Sequence, residues 1–330
     1  MDLPPELLVV AGLVLAAEFV NGWTDAPNAI ATVVSTRVLP PSRALLLATL
    51  LNILGAMSGT AVAATIGKGI VHPEVISVYT VGAAMVGIVC WSTLAWYWGL
   101  PTSESHALIA GLTGAALATA GPQALLWQGW KKVFVGLAFS TFLGFLGGLV
   151  LMTLIYRLWA KASPATVRRL FGKLQIVSAG FMAFSHGSND GQKFIGAFTL
   201  VLLLAGVLPE FRVELWVILL CAGIMGIGTA VGGWRIVKTM GLRLTKLEPV
   251  HGFAAETGAA LTIELASRLG VPLSTTHTIN TAIMGVGATR RFSAVRWGVS
   301  GNIVLAWILT FPVCGFIAWA VTRLTLPWLG

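Results

Sequence analysis

Apolar residues fill long runs that begin near Leu7 and recur to the end of the chain, each ended by a short polar stretch. Runs of this length with few charges are long enough to cross a bilayer as α-helices. Reading from break to break predicts crossings near 7–35, 44–66, 75–98, 101–120 and 133–156. A basic linker over 157–173 follows, then crossings near 174–205, 214–234, 247–269, 272–289 and 297–326. Several runs carry internal Gly, Pro or polar clusters, so broken or re-entrant helices at the midplane are expected where they line a polar cavity. The pattern reads as an all-α polytopic membrane protein.

The polar interruptions repeat. Asn21-Gly22-Trp23-Thr24-Asp25-Ala26-Pro27-Asn28 is echoed by His186-Gly187-Ser188-Asn189-Asp190-Gly191-Gln192-Lys193, with the aspartates 165 residues apart. Gly59-Thr60-Ala61-Val62 returns as Gly228-Thr229-Ala230-Val231 at an offset of 169. Pro101-Thr102-Ser103-Glu104-Ser105-His106 returns as Pro272-Leu273-Ser274-Thr275-Thr276-His277 at an offset of 171. Gly114 and Gly285 each follow these histidines by eight residues. This order implies a tandem duplication, with one repeat over 1–156, the linker over 157–173 and a second repeat over 174–330.

Charge orients the halves. Loops 37–43, 157–173, 235–246 and 290–296 hold 2, 5, 4 and 3 Lys/Arg, whereas 67–74, 121–132 and 206–213 hold 1, 2 and 1. Equivalent loops therefore differ in basicity, and the positive-inside rule places them on opposite sides. About five crossings per half produce that inversion. The expected topology is an inverted repeat in the cell (inner) membrane with both termini outside and the basic linker in the cytoplasm; Lys131-Lys132 falls on an outer loop against this trend.

Composition narrows the class. The chain of 330 residues is 56% hydrophobic and 10% charged, against about 25% charged for soluble domains. Thirty-eight glycines and fourteen prolines suit closely packed or interrupted membrane helices. The net charge of +9 lies in short loops, so it signals topology and not nucleic acid. Cys90, Cys221 and Cys314 sit in apolar runs without metal or disulfide spacing and read as buried, inert thiols. Thirteen tryptophans fall mostly near run ends, as in an interfacial belt against lipid. The acidic start, residues 1–6, lacks the basic region of a cleavable signal peptide.

A carboxylate in hydrocarbon costs about 2.5–3.5 kcal/mol on insertion scales. Asp25 and Asp190, two of the chain's three aspartates, therefore mark a shared polar site at a repeat interface. Their oxygens suit Na⁺ or a proton, with carbonyls of an unwound segment completing the shell. Asn28, Asn189 and Gln192 offer both donors and acceptors. Lys193 stands where the first motif has Asn28 and is the one basic residue deep in a predicted span; it can pair with an aspartate or attract an anion. Pro101 and Pro272 with their hydroxyl clusters read as helix starts in which the proline lies in the first turn. Ser103, Ser105, Ser274, Thr275 and Thr276, with helix N–H groups, can hold an oxyanion or simply cap the helices. Glu104 and Glu256 join the aspartates as candidate cation-coupling groups; Glu264 shares a helical face with Glu256, and Glu18 lies in the first run. His106 and His277 lack a third ligand at metal spacing and suggest orienting roles.

At these residues the chain closely resembles the PiT family of inorganic phosphate transporters, in both Asp motifs and both Pro-x-Ser-x-(Ser/Thr)-His elements. The resemblance covers essentially the whole chain. It implies import of inorganic phosphate, alone or as a neutral complex with a divalent metal, by symport with Na⁺ or H⁺ and without a cofactor. It also implies a homodimer of inverted repeats. By position, Asp25, Asn28, Asn189 and Asp190 would shape the ion and substrate site, and Ser103, Ser105, Ser274, Thr275 and Thr276 would donate to phosphate oxygens. Thr24 departs from the Asn common at that place, and the chain lacks the long central loop of animal members, as expected of a compact prokaryotic form. A cytoplasmic regulator docking on the basic linker is left open. So are a permease for sulfate or another oxyanion, a channel, and an intramembrane enzyme using the Asp or His residues; duplicated motifs weigh against the enzyme.

Overall fold

The computed structural model describes residues 4–329, with side chains through 325; residues 1–3 of the acidic start lie outside the described residues. Among the described residues the chain is helical, with a lone β-bridge between Val71 and Leu125. The first half holds α1 (Pro5–Ser35), α2 (Pro41–Ala56), α3 (Ala61–Gly69), α4 (Val78–Tyr97), α5 (Glu104–Ala120) and α6 (Trp127–Leu158). The second half opens with α7 (Pro164–His186), a π-helical turn (Gly187–Gly191) and α8 (Gln192–Leu204). It continues through α9 (Leu215–Val231), α10 (Trp234–Lys238) with a π turn (Thr239–Arg243), α11 (Pro249–Arg268), α12 (Thr275–Arg290) and α13 (Trp297–Leu329).

The lengths run in parallel. The 31-residue α1 answers the α7–turn–α8 rod. The α2–α3 pair bends by 67° and its counterpart at α9–α10 by 58°. Helices α4 and α11 have 20 residues each, α5 and α12 have 17 and 16, and α6 and α13 have 32 and 33. Four helices, α1, α4, α6 and α13, are each long and apolar enough to cross a membrane, and the bent pairs raise this to six. At about 1.5 Å per residue, α5 and α12 reach only about 25 Å, less than a hydrocarbon core. They are buried along most of their length instead.

Several boundaries differ from the sequence expectation. The 157–173 linker is mostly helix, because Ser163 caps α7 through Thr166 N–H and Pro164 suits the first turn. Its Arg168, Arg169 and Lys173 form an exposed face, while Phe171 is buried. The 235–246 loop is instead α10 and its π turn, whose Ile236, Val237 and Met240 are buried. Lys131 and Lys132 lie on the exposed face of α6 and not in a loop. Cys90 is exposed, unlike Cys221 and Cys314.

Two apolar clusters enclose a polar layer. Leu7–Ala17 of α1 and Phe194–Leu202 of α8 supply one; Ala29–Val33 of α1 and Phe171–Ala183 of α7 supply the other. Between them in the chain lie the buried polar residues Glu18, Asn21, Thr24, Asp25 and Asn28 of α1, and Ser185, His186, Ser188, Asn189, Asp190, Gln192 and Lys193 of the second segment. The short helices cross between halves, α5 packing along α13 and α12 along α6. The repeated glycines make this possible. A Cβ on Gly114 would collide with the Gly315 carbonyl and one on Gly285 with the Phe145 carbonyl. Small residues at such crossings let backbones approach closely.

Candidate functional site

Asp25 and Asp190 lie in one buried polar cluster. His186 Nε2 lies 3.3 Å from Asp190 Oδ2 and 3.8 Å from Asp25 Oδ2. Thr275 Oγ1 donates to Asp190 Oδ2 at 2.7 Å, and Thr276 Oγ1 to Asp25 Oδ2 at 3.2 Å. Asn28 Nδ2 donates to Thr276 Oγ1 at 3.0 Å. Lys193 Nζ donates to Asp190 Oδ1, to Ser105 Oγ and, at 2.8 Å, to the Leu273 carbonyl. Ser105 Oγ donates to the same carbonyl at 2.8 Å, which joins the segment before α12 to the start of α5.

The pairing crosses the halves symmetrically. The last residue of the first motif, Asn28, reaches Thr276, and its counterpart Lys193 reaches Ser105, the residue equivalent to Thr276 at the offset of 171. Neither proline sits in a first turn. Pro101 and Pro272 precede extended segments, and Ser103 and Ser274 are the N-caps, accepting from His106 N–H at 3.3 Å and His277 N–H at 3.1 Å. The proline disfavours helix for the residue before it, while the Ser oxygen replaces a missing carbonyl. The N–H groups of Glu104, Ser105, Thr275 and Thr276 lie in first turns, where no intrahelical acceptor exists. The two starts meet: the imidazoles of His106 and His277 are 4.4 Å apart, edge to face.

Glu104 accepts from Thr24 Oγ1, next to Asp25, at 2.9 Å and from Ser92 Oγ at 2.7 Å. Other candidates point elsewhere. Asn189 Nδ2 donates to Ser267 Oγ at 2.9 Å, and Gln192 Oε1 accepts from Val62 N–H at the start of α3 at 3.1 Å. Glu256 forms a separate buried cluster, accepting from Thr32, Ser178 and Gln175. Glu264 pairs with Arg268 and Ser188, and Glu18 accepts from Asn21 at 2.9 Å. The ring nitrogens of His106 and His277 find no hydrogen-bond partner among the described residues; His277 stacks instead on Trp307 at 3.6 Å. The Asp segments are not unwound. Helix α1 is continuous through Pro27, and the second segment keeps a π turn, a form frequent at functional sites.

His186, for which the sequence motif alone suggests no separate role, is central. Its Nδ1 is 3.0 Å from Asn52 Oδ1, and Asn52 Nδ2 donates to Thr229 Oγ1 at 3.1 Å. With Asn52 so oriented, Nδ1 carries the proton and Nε2 is aimed between the carboxylates. Asp25, His186 and Asp190 thus offer three ligand atoms within 4.8 Å of one another. A partner holding the second ring nitrogen is the usual support of a metal-binding His. The spacing of His186 four residues before Asp190 places both on one helical face, a signal available in the sequence.

Comparisons with known proteins bear on the family and the fold. A family model described as the phosphate transporter family matches residues 21–318. A protein of Rhizobium meliloti (strain 1021), described as a probable low-affinity inorganic phosphate transporter, is 44% identical over 95% of this chain and 95% of its own. A protein of Bacillus subtilis (strain 168) with the same description is 38% identical over 93% of this chain and 92% of its own. A solved structure titled as the sodium-dependent phosphate transporter superposes with a TM-score of 0.90 at 25% identity, covering 98% of this chain and 100% of that one.

Proposed function

The chain belongs to the phosphate transporter family, and from that premise we propose that it is a secondary active transporter importing inorganic phosphate by symport with a cation, Na⁺ or H⁺. The observation that carries the reading is the buried polar cluster itself. Two capped helix starts and two aspartates, drawn from opposite halves, meet in one buried place. The N–H groups of Glu104, Ser105, Thr275 and Thr276, without an acceptor among the described residues, supply donors for a tetrahedral oxyanion at the positive ends of α5 and α12. Asp25 and Asp190 supply oxygens for the driving cation. Phosphate keeps a proton near neutrality and can donate to a carboxylate such as Glu104 or Asp25, whereas sulfate cannot. Carboxylates at the site therefore favour phosphate.

The relatives and the family are transporters, not enzymes, which removes the intramembrane-enzyme reading. The matching element order supports two inverted-topology repeats in a multi-pass protein of the inner membrane, with basic loops inside and both termini outside. A homodimer, and a cytoplasmic regulator at the basic face of α7, belong to the same proposal. Asp25, His186 and Asp190 also favour a second form of the substrate, a divalent metal–phosphate complex whose metal these three atoms would meet as cargo.

Uptake of labelled phosphate into proteoliposomes tests the reading. Accumulation that survives a large excess of sulfate is expected. Full inhibition by sulfate would assign the cluster to another oxyanion, and a stimulation of uptake by added divalent metal would single out the complex.

A further inference from the structure

Lys193 is fully buried, and each of its ammonium protons has a partner. The acceptors are a carboxylate oxygen (Asp190), a hydroxyl (Ser105) and a backbone carbonyl (Leu273). An ammonium has three donors and no more, so nothing remains to point at an anion. The same three oxygen types are what a small hard cation takes from protein. On the Asp25 side, the equivalent oxygens at offsets of 165 and 171 are those of Asp25, Thr276 and Thr102. There the motif ends in neutral Asn28, and no Lys or Arg lies within ion-pair reach of Asp25 among the described residues; its basic neighbour is His186 at 3.8 Å.

We propose that the Lys193 ammonium is a built-in cation occupying, in the second half, the place that an exchangeable Na⁺ takes when the motif ends in a neutral residue. The protein therefore holds one exchangeable cation fewer than two equivalent halves would, and exchange is confined to the Asp25 side. This rests on the symport reading and refines it, making Lys193 the residue that sets the cation count. The ammonium also locks Ser105 and Leu273 together, so the two helix starts stay joined whether or not Na⁺ is present.

The test counts bound ²²Na⁺ per protein at saturation in detergent, at constant ionic strength held with choline. Lys193→Asn, which gives the second motif the ending of the first, should bind one Na⁺ more than wild type. Lys193→Met, which removes the charge but fills the space, should bind no more than wild type. Should Lys193→Asn fail to assemble, Lys193→Ala opens the same place and carries the same expectation. An unchanged count in the Asn or Ala variant, or a gain in the Met variant, would overturn the proposal. Phosphate uptake by wild type is measured separately, so failure of the transport reading shows there and failure of the cation count shows in the variants.

Discussion

The two motif segments hold one polar centre by different means. The first lies in an unbroken helix, with Gly22 against the Met225 backbone of α9. The second lies in a widened π turn, with Gly187 against the Asn52 backbone of α2. Close glycine contact with the other half's bent helix is thus common to both. Charge is not. The first segment reaches neutral hydroxyls and Glu104 through Thr24, whereas the second carries a buried ion pair and an imidazole. On the proposed duplication the scaffold is kept and the chemistry diverges: the second segment holds its own Lys193–Asp190 pair, and the first has no such pair among the described residues.

That difference is exposed most strongly by removing each aspartate's charge. Asp190→Asn strands a buried lysine, and breaking such a pair costs about 3–5 kcal/mol. Asp25→Asn breaks no Lys or Arg pair and should cost on the order of 1 kcal/mol. Thermal unfolding in detergent reads the contrast, and equal losses would erase it. Next come the shared contacts. Gly22→Ala and Gly187→Ala each push a Cβ into a backbone carbonyl, at a cost of about 1–3 kcal/mol. Here the halves should behave alike, and a stable Gly187→Ala would mean that the π turn yields where α1 cannot.

Smaller effects sharpen the second half. Asn52→Leu leaves His186 unoriented, and loss of such a supporting partner costs about 10-fold or more in affinity or activity; phosphate uptake checks this, with His186 still present. The weakest effect is expected at the caps. Ser103→Ala and Ser274→Ala should each cost about 1 kcal/mol of stability. A large loss of uptake with no change in unfolding temperature would instead make those hydroxyls ligands of the substrate.

Much of this was legible in the sequence for physical reasons. Scarce aspartates in apolar runs must be satisfied by something, and their spacing pointed to a duplication before any contact was known. The Pro-led hydroxyl clusters located the helix starts because capping chemistry is local. What stayed hidden depends on long-range partners. Asn52 sits alone in an apolar run, and nothing nearby marks it as the partner of His186, 134 residues away. Glu256 looked equivalent to the site carboxylates, but its partners Thr32, Gln175 and Ser178 hold it in a cluster of its own. The bends at α2–α3 and α9–α10 fall at Ser58-Gly59-Thr60 and Gly232-Gly233, clusters that break a helix, but their angles depend on packing partners and were not legible.

The central claim is that both halves build one site for phosphate and its driving ion. It is tested most directly by labelled phosphate accumulation in sealed proteoliposomes, under separately imposed Na⁺ and proton gradients, for wild type, Asp25→Asn and Asp190→Asn side by side. The account predicts concentrative uptake by wild type under one of the gradients. It predicts a loss on the order of 100-fold in each variant that remains assembled, as expected when about 3 kcal/mol of charge-assisted bonding is removed. Wild-type accumulation by either variant would contradict it.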